Sequence, residues 1–113
     1  MFARKKKPDA LQGTLGLLVL KTLSRGGAQH GYGTAAHIKG VSDDVLRVEE
    51  GSLYPALHRM EQAGWIVAEW RVTANKRRAR LHRITQTGQK RLGQEEEKWR
   101  QLTGAVGKVL RFA

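Results

Sequence analysis

Between Glu69 and Glu95 the chain holds no acidic residue, and that interval carries Arg71, Lys76, Arg77, Arg78, Arg80, Arg83, Lys90 and Arg91. Three consecutive cations, Lys76, Arg77 and Arg78, repel one another unless a polyanion lies close. Such a run suits contacts with phosphates, which position a protein without reading sequence and steepen the salt dependence of affinity. Solvated charge runs are common, so this one takes its meaning from what precedes it. On a helical wheel of residues 52–63, Leu53, Ala56, Leu57 and Met60 share one side. The opposite side carries Pro55, His58, Arg59 and Gln62, flanked by Ser52 and Tyr54. Arg59 has the length and donors for guanine or a phosphate, and Gln62 those for adenine, in a major groove. Ser52 and Tyr54, near the helix N-terminus, suit phosphate anchoring beside unbonded N–H groups.

Other chemistries find little support. His30, His37, His58 and His82 are scattered without metal-ligand spacing, so turn, surface and strand roles are expected and no metal. Glu49 and Glu50 precede the third helix, where carboxylates favour its positive end. No nucleophile–base constellation, phosphate-binding glycine loop or cofactor fingerprint is present, so neither an enzyme nor a cofactor is expected. The absence of cysteine excludes disulfides and thiolate zinc sites. The balance of 21 Lys and Arg against 10 Asp and Glu gives a net charge of +11, which favours nucleic acid or an anionic surface as partner. No apolar run is long enough to span a bilayer, and the basic first residues lack a signal-peptide pattern. A cytoplasmic protein without a membrane partner is expected.

The elements that must position these residues follow from periodicity. Residues 1–10 read as a basic mobile arm, with Lys5, Lys6 and Lys7 serving mainly solubility. Asp9 is a candidate cap for a first helix to about residue 24. There Leu11, Leu15, Leu17, Leu18, Val19, Leu20 and Leu23 cover nearly the whole circumference, so the helix should be buried. Gly26 and Gly27 end it. A second helix spans 31–40, a polar acidic loop 41–47, and a third helix 52–63, with Ser52 as N-cap, Pro55 in its first turn and Gly64 closing it. Alternation then predicts strands from residue 65 to 72 and over 79–85, joined through 74–78 as a hairpin; Trp65 and Trp70 read as core or strand packing. Thr85 is a candidate cap for a long helix over 86–111. On it Leu92, Trp99, Val106 and Ala113 recur every seven residues with Leu102 and Val109 between them, a seam interrupted by Glu95. A partner subunit is the economical cover for that seam. The fold class is mainly α with a small β-hairpin: a winged helix-turn-helix over 11–85 and a C-terminal dimerisation helix over 86–113.

Leu11-Gln12-Gly13-Thr14-Leu15, His30-Gly31-Tyr32-Gly33 and above all Glu50-Gly51-Ser52-Leu53-Tyr54-Pro55-Ala56-Leu57-His58-Arg59-Met60-Glu61 resemble the PadR family of transcriptional regulators. Ala63-Gly64-Trp65-Ile66 and Arg83-Ile84-Thr85-Gln86-Thr87-Gly88 fit the same pattern. The resemblance implies a dimeric regulator, usually a repressor, that binds an inverted repeat in double-stranded DNA and joins its subunits through the C-terminal helix. It assigns DNA contact to Tyr32, Ser52, Tyr54 and the basic wing, here Lys76, Arg77, Arg78 and Arg80. Family wings more often carry glycine and proline with fewer cations, so the wing residues carry over by role. The strand that follows has Leu81-His82 where the family often shows two aromatics. In the short, single-helix type a flat hydrophobic or aromatic effector stacks between subunits, and Trp99 is the residue placed for it, although filling the interface is its simpler role. Two rival readings remain: a sequence-independent architectural or RNA-binding protein using the +11 charge, and a dimeric interaction or small-molecule-binding module that no longer acts on DNA.

Overall fold

The structure, a computed structural model, describes residues 10–112 apart from residue 73, with side chains from 14 to 111. Residues 1–9 of the basic arm, the capping role of Asp9, the side chain of Leu11 and the last seam position, Ala113, lie outside the described residues, whereas Ala10, expected in the arm, opens the first helix. The order is α1 Ala10–Gly26, α2 Gly31–Val41, α3 Glu50–Gln62, β1 Ile66–Val72, β2 Arg78–Ile84 and α4 Gln86–Phe112, a mainly helical chain with one hairpin.

Helix α1 is the hub. Leu15, Val19, Leu20 and Leu23 are buried against Leu53, Ala56, Leu57 and Met60 of α3, Ile66 of β1 and Leu92 of α4. The chain turns out of α1 at Gly27, whose φ of +78° suits glycine. His30 caps α2 by accepting the Gly33 N–H on Nδ1 at 3.0 Å. In the α2–α3 loop Asp43 and Asp44 both take positive φ, a conformation short polar side chains tolerate better than most. Ser42 holds the loop by accepting the Leu46 N–H on Oγ at 3.0 Å.

Helix α3 begins earlier than the sequence suggests. Glu49 is its N-cap, without a side-chain bond, so Ser52 lies inside the helix and caps nothing. Pro55 is accordingly in the second turn. Its ring supplies no N–H to the Gly51 carbonyl, and both residues are exposed, on the side where water can take that place. The exit is a Schellman turn: Gly64, at φ +82°, donates to the Glu61 carbonyl at 3.0 Å and Trp65 to the Met60 carbonyl at 3.0 Å.

The hairpin is antiparallel and pairs Ile66 with Ile84 through Val72 with Arg78, and β2 itself begins and ends one residue earlier than expected. Ile66, Ala68, Trp70 and Val72 therefore share a face with Ile84, His82, Arg80 and Arg78. Gln29 adds a bridge on the other edge of β2, exchanging backbone bonds with His82 at 3.0 and 2.8 Å. At the tip Lys76 takes φ +61°.

Thr85 caps α4 as expected, accepting the Gly88 N–H at 3.0 Å. Its hydroxyl also reaches the Gly64 carbonyl at 2.6 Å and the Trp65 carbonyl at 3.0 Å, which ties the start of α4 to the α3–β1 corner. The buried position 88 takes glycine because a Cβ there would collide with the Trp65 carbonyl oxygen and the Ile84 side chain. Beyond Leu92, α4 leaves the core. Lys21 steadies it through Glu96 at 2.7 Å, a bond that holds the Glu96 carboxyl below its usual pKa range. The 27-residue helix is ~40 Å long. The radius of gyration, 16.0 Å, exceeds the roughly 13 Å of a compact chain this size because α4 and the hairpin project. No helix among the described residues is long and apolar enough to cross a membrane.

Gly88→Ala should lower stability by roughly 1–3 kcal/mol, the usual range for overpacking a tight site. Urea unfolding followed by circular dichroism would measure it, and an unchanged midpoint would mean the α3–β1 corner yields.

Candidate nucleic-acid interface

The outward side of α3 presents Gly51, Tyr54, Pro55, His58 and Gln62, all exposed. Tyr54 is held from beneath: a Cβ on Gly31 would stand 3.0 Å from its ring, so glycine at the start of α2 lets the ring lie across it. Tyr32, 70% exposed, stacks loosely on His30 with ring centroids 6.2 Å apart. The two tyrosines border an open groove of ≈ 520 Å³ between α2 and α3, whose charges, Lys39 and Arg47 against Asp44 and Glu50, are mixed. Arg59 is also exposed, at the edge of this side. It lines a second groove with Leu15, Trp65, Arg91 and Glu95, on the flank of α3 turned toward α1 and α4. Ser52 is half-buried.

One carboxylate joins this helix to the hairpin. Glu61 accepts from Arg80 Nη2 at 2.7 Å through one oxygen and meets His82 Nε2 at 3.3 Å through the other. The His82 side chain is only 5% exposed and its Nδ1 has no partner, an arrangement that fits the neutral ring with its proton on Nε2. Burial pushes the His82 pKa below its ordinary 6.5; the Glu61 charge and hydrogen bond pull it back up, and Arg80 pushes it down.

The four wing cations have different surroundings. Lys76 and Arg77 are exposed at the tip. Arg78 stacks its guanidinium 4.7 Å from the centroid of the Trp70 ring, and Arg80 is the ion pair to Glu61. Further along the chain, Trp99, Leu102, Val106, Val109 and Leu110 stand exposed on α4, while Glu95, which interrupts that stripe, pairs with Arg91 at 3.1 Å and Lys98 at 3.4 Å. No group of residues that could hold a metal occurs among the described residues.

Residues 19–94, more than half of the chain, match the transcriptional regulator PadR-like family. The chain belongs to this family. Among solved structures, a transcriptional regulator from Clostridium thermocellum is 28% identical with a TM-score of 0.81, covering 88% of this chain and 96% of that one. A PadR family regulator from Eggerthella lenta is 33% identical with a TM-score of 0.70, covering 88% of this chain and 83% of that one. A PadR-like regulator from Bacillus cereus, 24% identical with a TM-score of 0.76 over 88% and 94% of the two chains, shares the fold. No curated protein matches the chain. As a PadR-like protein the chain is a transcriptional regulator and not an enzyme.

Within that frame several expectations shift. Tyr54, Pro55, His58 and Gln62 share one exposed side of α3, and Tyr32 borders the α2–α3 groove together with Tyr54, whereas Arg59 sits at the edge and Ser52 is partly covered. Arg80 is already engaged by Glu61, so its first role is to fix the wing. Leu92 is 4% exposed in the chain's own core and leaves the seam to begin at Trp99. Trp70 is 58% exposed and packs into no core. Trp65 is half-buried beneath Arg91, whose guanidinium lies 4.7 Å from its ring centroid. The sequence reading missed Glu61 and His82 as the helix-to-wing link. The available signal was Glu61 placed beside the core face of α3 on the wheel, turned toward the strand that follows.

Because the folded state disfavours protonated His82, it binds that proton less readily than the unfolded chain. This contribution to stability is complete above about pH 6.5 and declines as pH falls below it. The urea midpoint of the wild type should therefore drop on mild acidification, and His82→Gln should show a shallower drop. Identical pH profiles for the two proteins would remove His82 from this role.

Proposed function

We propose that the chain is a homodimeric repressor that binds an inverted repeat in duplex DNA in the cytoplasm. The observation that carries this reading is the joining of two surfaces, the exposed Tyr54, His58 and Gln62 side of α3 and the cationic wing, through Glu61 and Arg80 in a PadR-like regulator. In this reading α3 of each subunit enters a major groove, with His58 and Gln62 at base edges and Tyr32 and Tyr54 at the backbone. Lys76 and Arg77 lie against flanking phosphates. The exposed apolar residues of α4, led by Trp99, Leu102, Val106 and Val109, support a second copy of the chain as their cover. Trp99 then stands at the subunit junction, where a flat hydrophobic effector would alter the separation of the two α3 helices and release the DNA.

Anisotropy titration of duplex DNA from upstream of the protein's own gene, against a scrambled duplex at several salt concentrations, tests this. The expected preference is on the order of a thousandfold at physiological salt. The double variant His58→Ala/Gln62→Ala should lose preference more than general affinity, and Leu102→Asp should sediment as a monomer and lose preference. Equal, steeply salt-dependent binding of both duplexes, together with no preferred site in a genome-wide search, would overturn the reading in favour of a sequence-independent architectural protein.

A further inference from the structure

Trp70 is the largest side chain left uncovered on the hairpin, 58% exposed, and Val72 beside it on the same face is 71% exposed. A tryptophan in solvent forgoes the burial that ordinarily justifies so large a ring. Its placement is defined by the register. Arg80 stands directly opposite Trp70, and Arg78 directly opposite Val72. Since Arg80 reaches Glu61 on α3 at 2.7 Å, the face holding Trp70 is the one turned toward α3. That face, made of Ile66, Ala68, Trp70 and Val72 with Arg78, Arg80, His82 and Ile84, contains no carboxylate of its own. Glu69 belongs to the opposite face and is paired there with Arg71 at 3.1 Å.

Arg78 completes the unit. Its guanidinium lies 4.7 Å from the Trp70 ring centroid, a cation–π contact that holds both side chains in place before any partner arrives. The surface is thus a planar apolar ring beneath a guanidinium, on the hairpin face that Arg80 ties to α3 through Glu61. A duplex backbone offers the matching sequence of groups, an anionic phosphate beside the apolar face of a deoxyribose.

We infer that Trp70 and Arg78 form a sequence-independent DNA clamp on the wing, the ring packing against a deoxyribose wall and the guanidinium reaching the adjoining phosphate. The inference rests on the DNA-binding reading above and adds to it a contact that is apolar as well as ionic. Trp70→Ala removes apolar contact without removing charge, so affinity for the upstream and the scrambled duplex should fall alike, by about tenfold, with the salt slope unchanged. Trp70→Phe should retain most of the affinity. Arg78→Ala removes one phosphate contact from each of the two subunits, so it should weaken binding and reduce the salt slope by about 1.8. With Trp65→Phe and Trp99→Phe leaving Trp70 as the sole tryptophan, acrylamide quenching of its fluorescence should fall when either duplex saturates the protein.

Wild-type affinity in Trp70→Ala, or undiminished quenching on saturation, would overturn the clamp while leaving DNA binding intact. Dissociation of the dimer by Trp70→Ala, with affinity lost only as a consequence, would assign the face to a protein partner instead. A wild-type protein that binds neither duplex would overturn the DNA-binding reading itself and the clamp with it.

Discussion

Glu61 is the residue through which the exposed side of α3 and the cationic hairpin are held in one geometry. Its two oxygens take Arg80 at 2.7 Å and His82 at 3.3 Å, so the last turn of α3 is bonded to the middle of β2. Neither contact is strong by itself. Arg80 is about half exposed, where an ion pair contributes ~1 kcal/mol or less. The fixity comes from convergence: the Schellman turn at Gly64 sets the angle at which β1 leaves α3, and Gln29 holds the outer edge of β2 at His82. A two-stranded hairpin is marginal in isolation, and here β2 is held by Gln29 along its outer edge and by Glu61 on the face turned toward α3, while the tip bears Lys76 and Arg77.

The same corner sets the direction of α4. Thr85 bonds both its own helix and the Gly64 and Trp65 carbonyls, and Gly88 permits the close approach that this requires. The exposed stripe from Trp99 onward is consequently carried at a fixed angle to α3. If two chains meet along that stripe, the angle determines how far apart the two α3 helices stand, so packing between the subunits is linked to the spacing of whatever the helices read. A change at Trp99 would reach α3 through this junction.

Much of this was legible in the sequence because it depends on local rules. The encircling leucines of α1, the glycine stops at Gly27 and Gly64, the alternation of the hairpin and the Thr85 cap each announce themselves within a few residues. The start of α3 was misjudged because Ser52 has the chemistry of a cap, whereas the backbone bonds of Ser52 and Leu53 to the Glu49 carbonyl extend the helix two residues earlier. Leu92 fits the heptad pattern of α4 and still belongs to the core, since the first turns of that helix pack on α1. Arg80 could be recognised as a wing cation but not as the partner of Glu61, and Trp70 could be placed on a strand but not in solvent. These are consequences of how separate elements meet, which periodicity along one element does not encode. The exposed side of α3 was legible as a surface, and only the packing around it moved Arg59 to the edge.

The most direct test of a paired reading surface is hydroxyl-radical and methylation-protection footprinting of the upstream DNA with the intact protein. Two symmetry-related patches of major-groove protection, with centres about one helical turn of ~10.5 base pairs apart and flanking backbone protection outside each, are the result this account predicts. A single patch, or uniform protection along the duplex without a two-fold pattern, would contradict it.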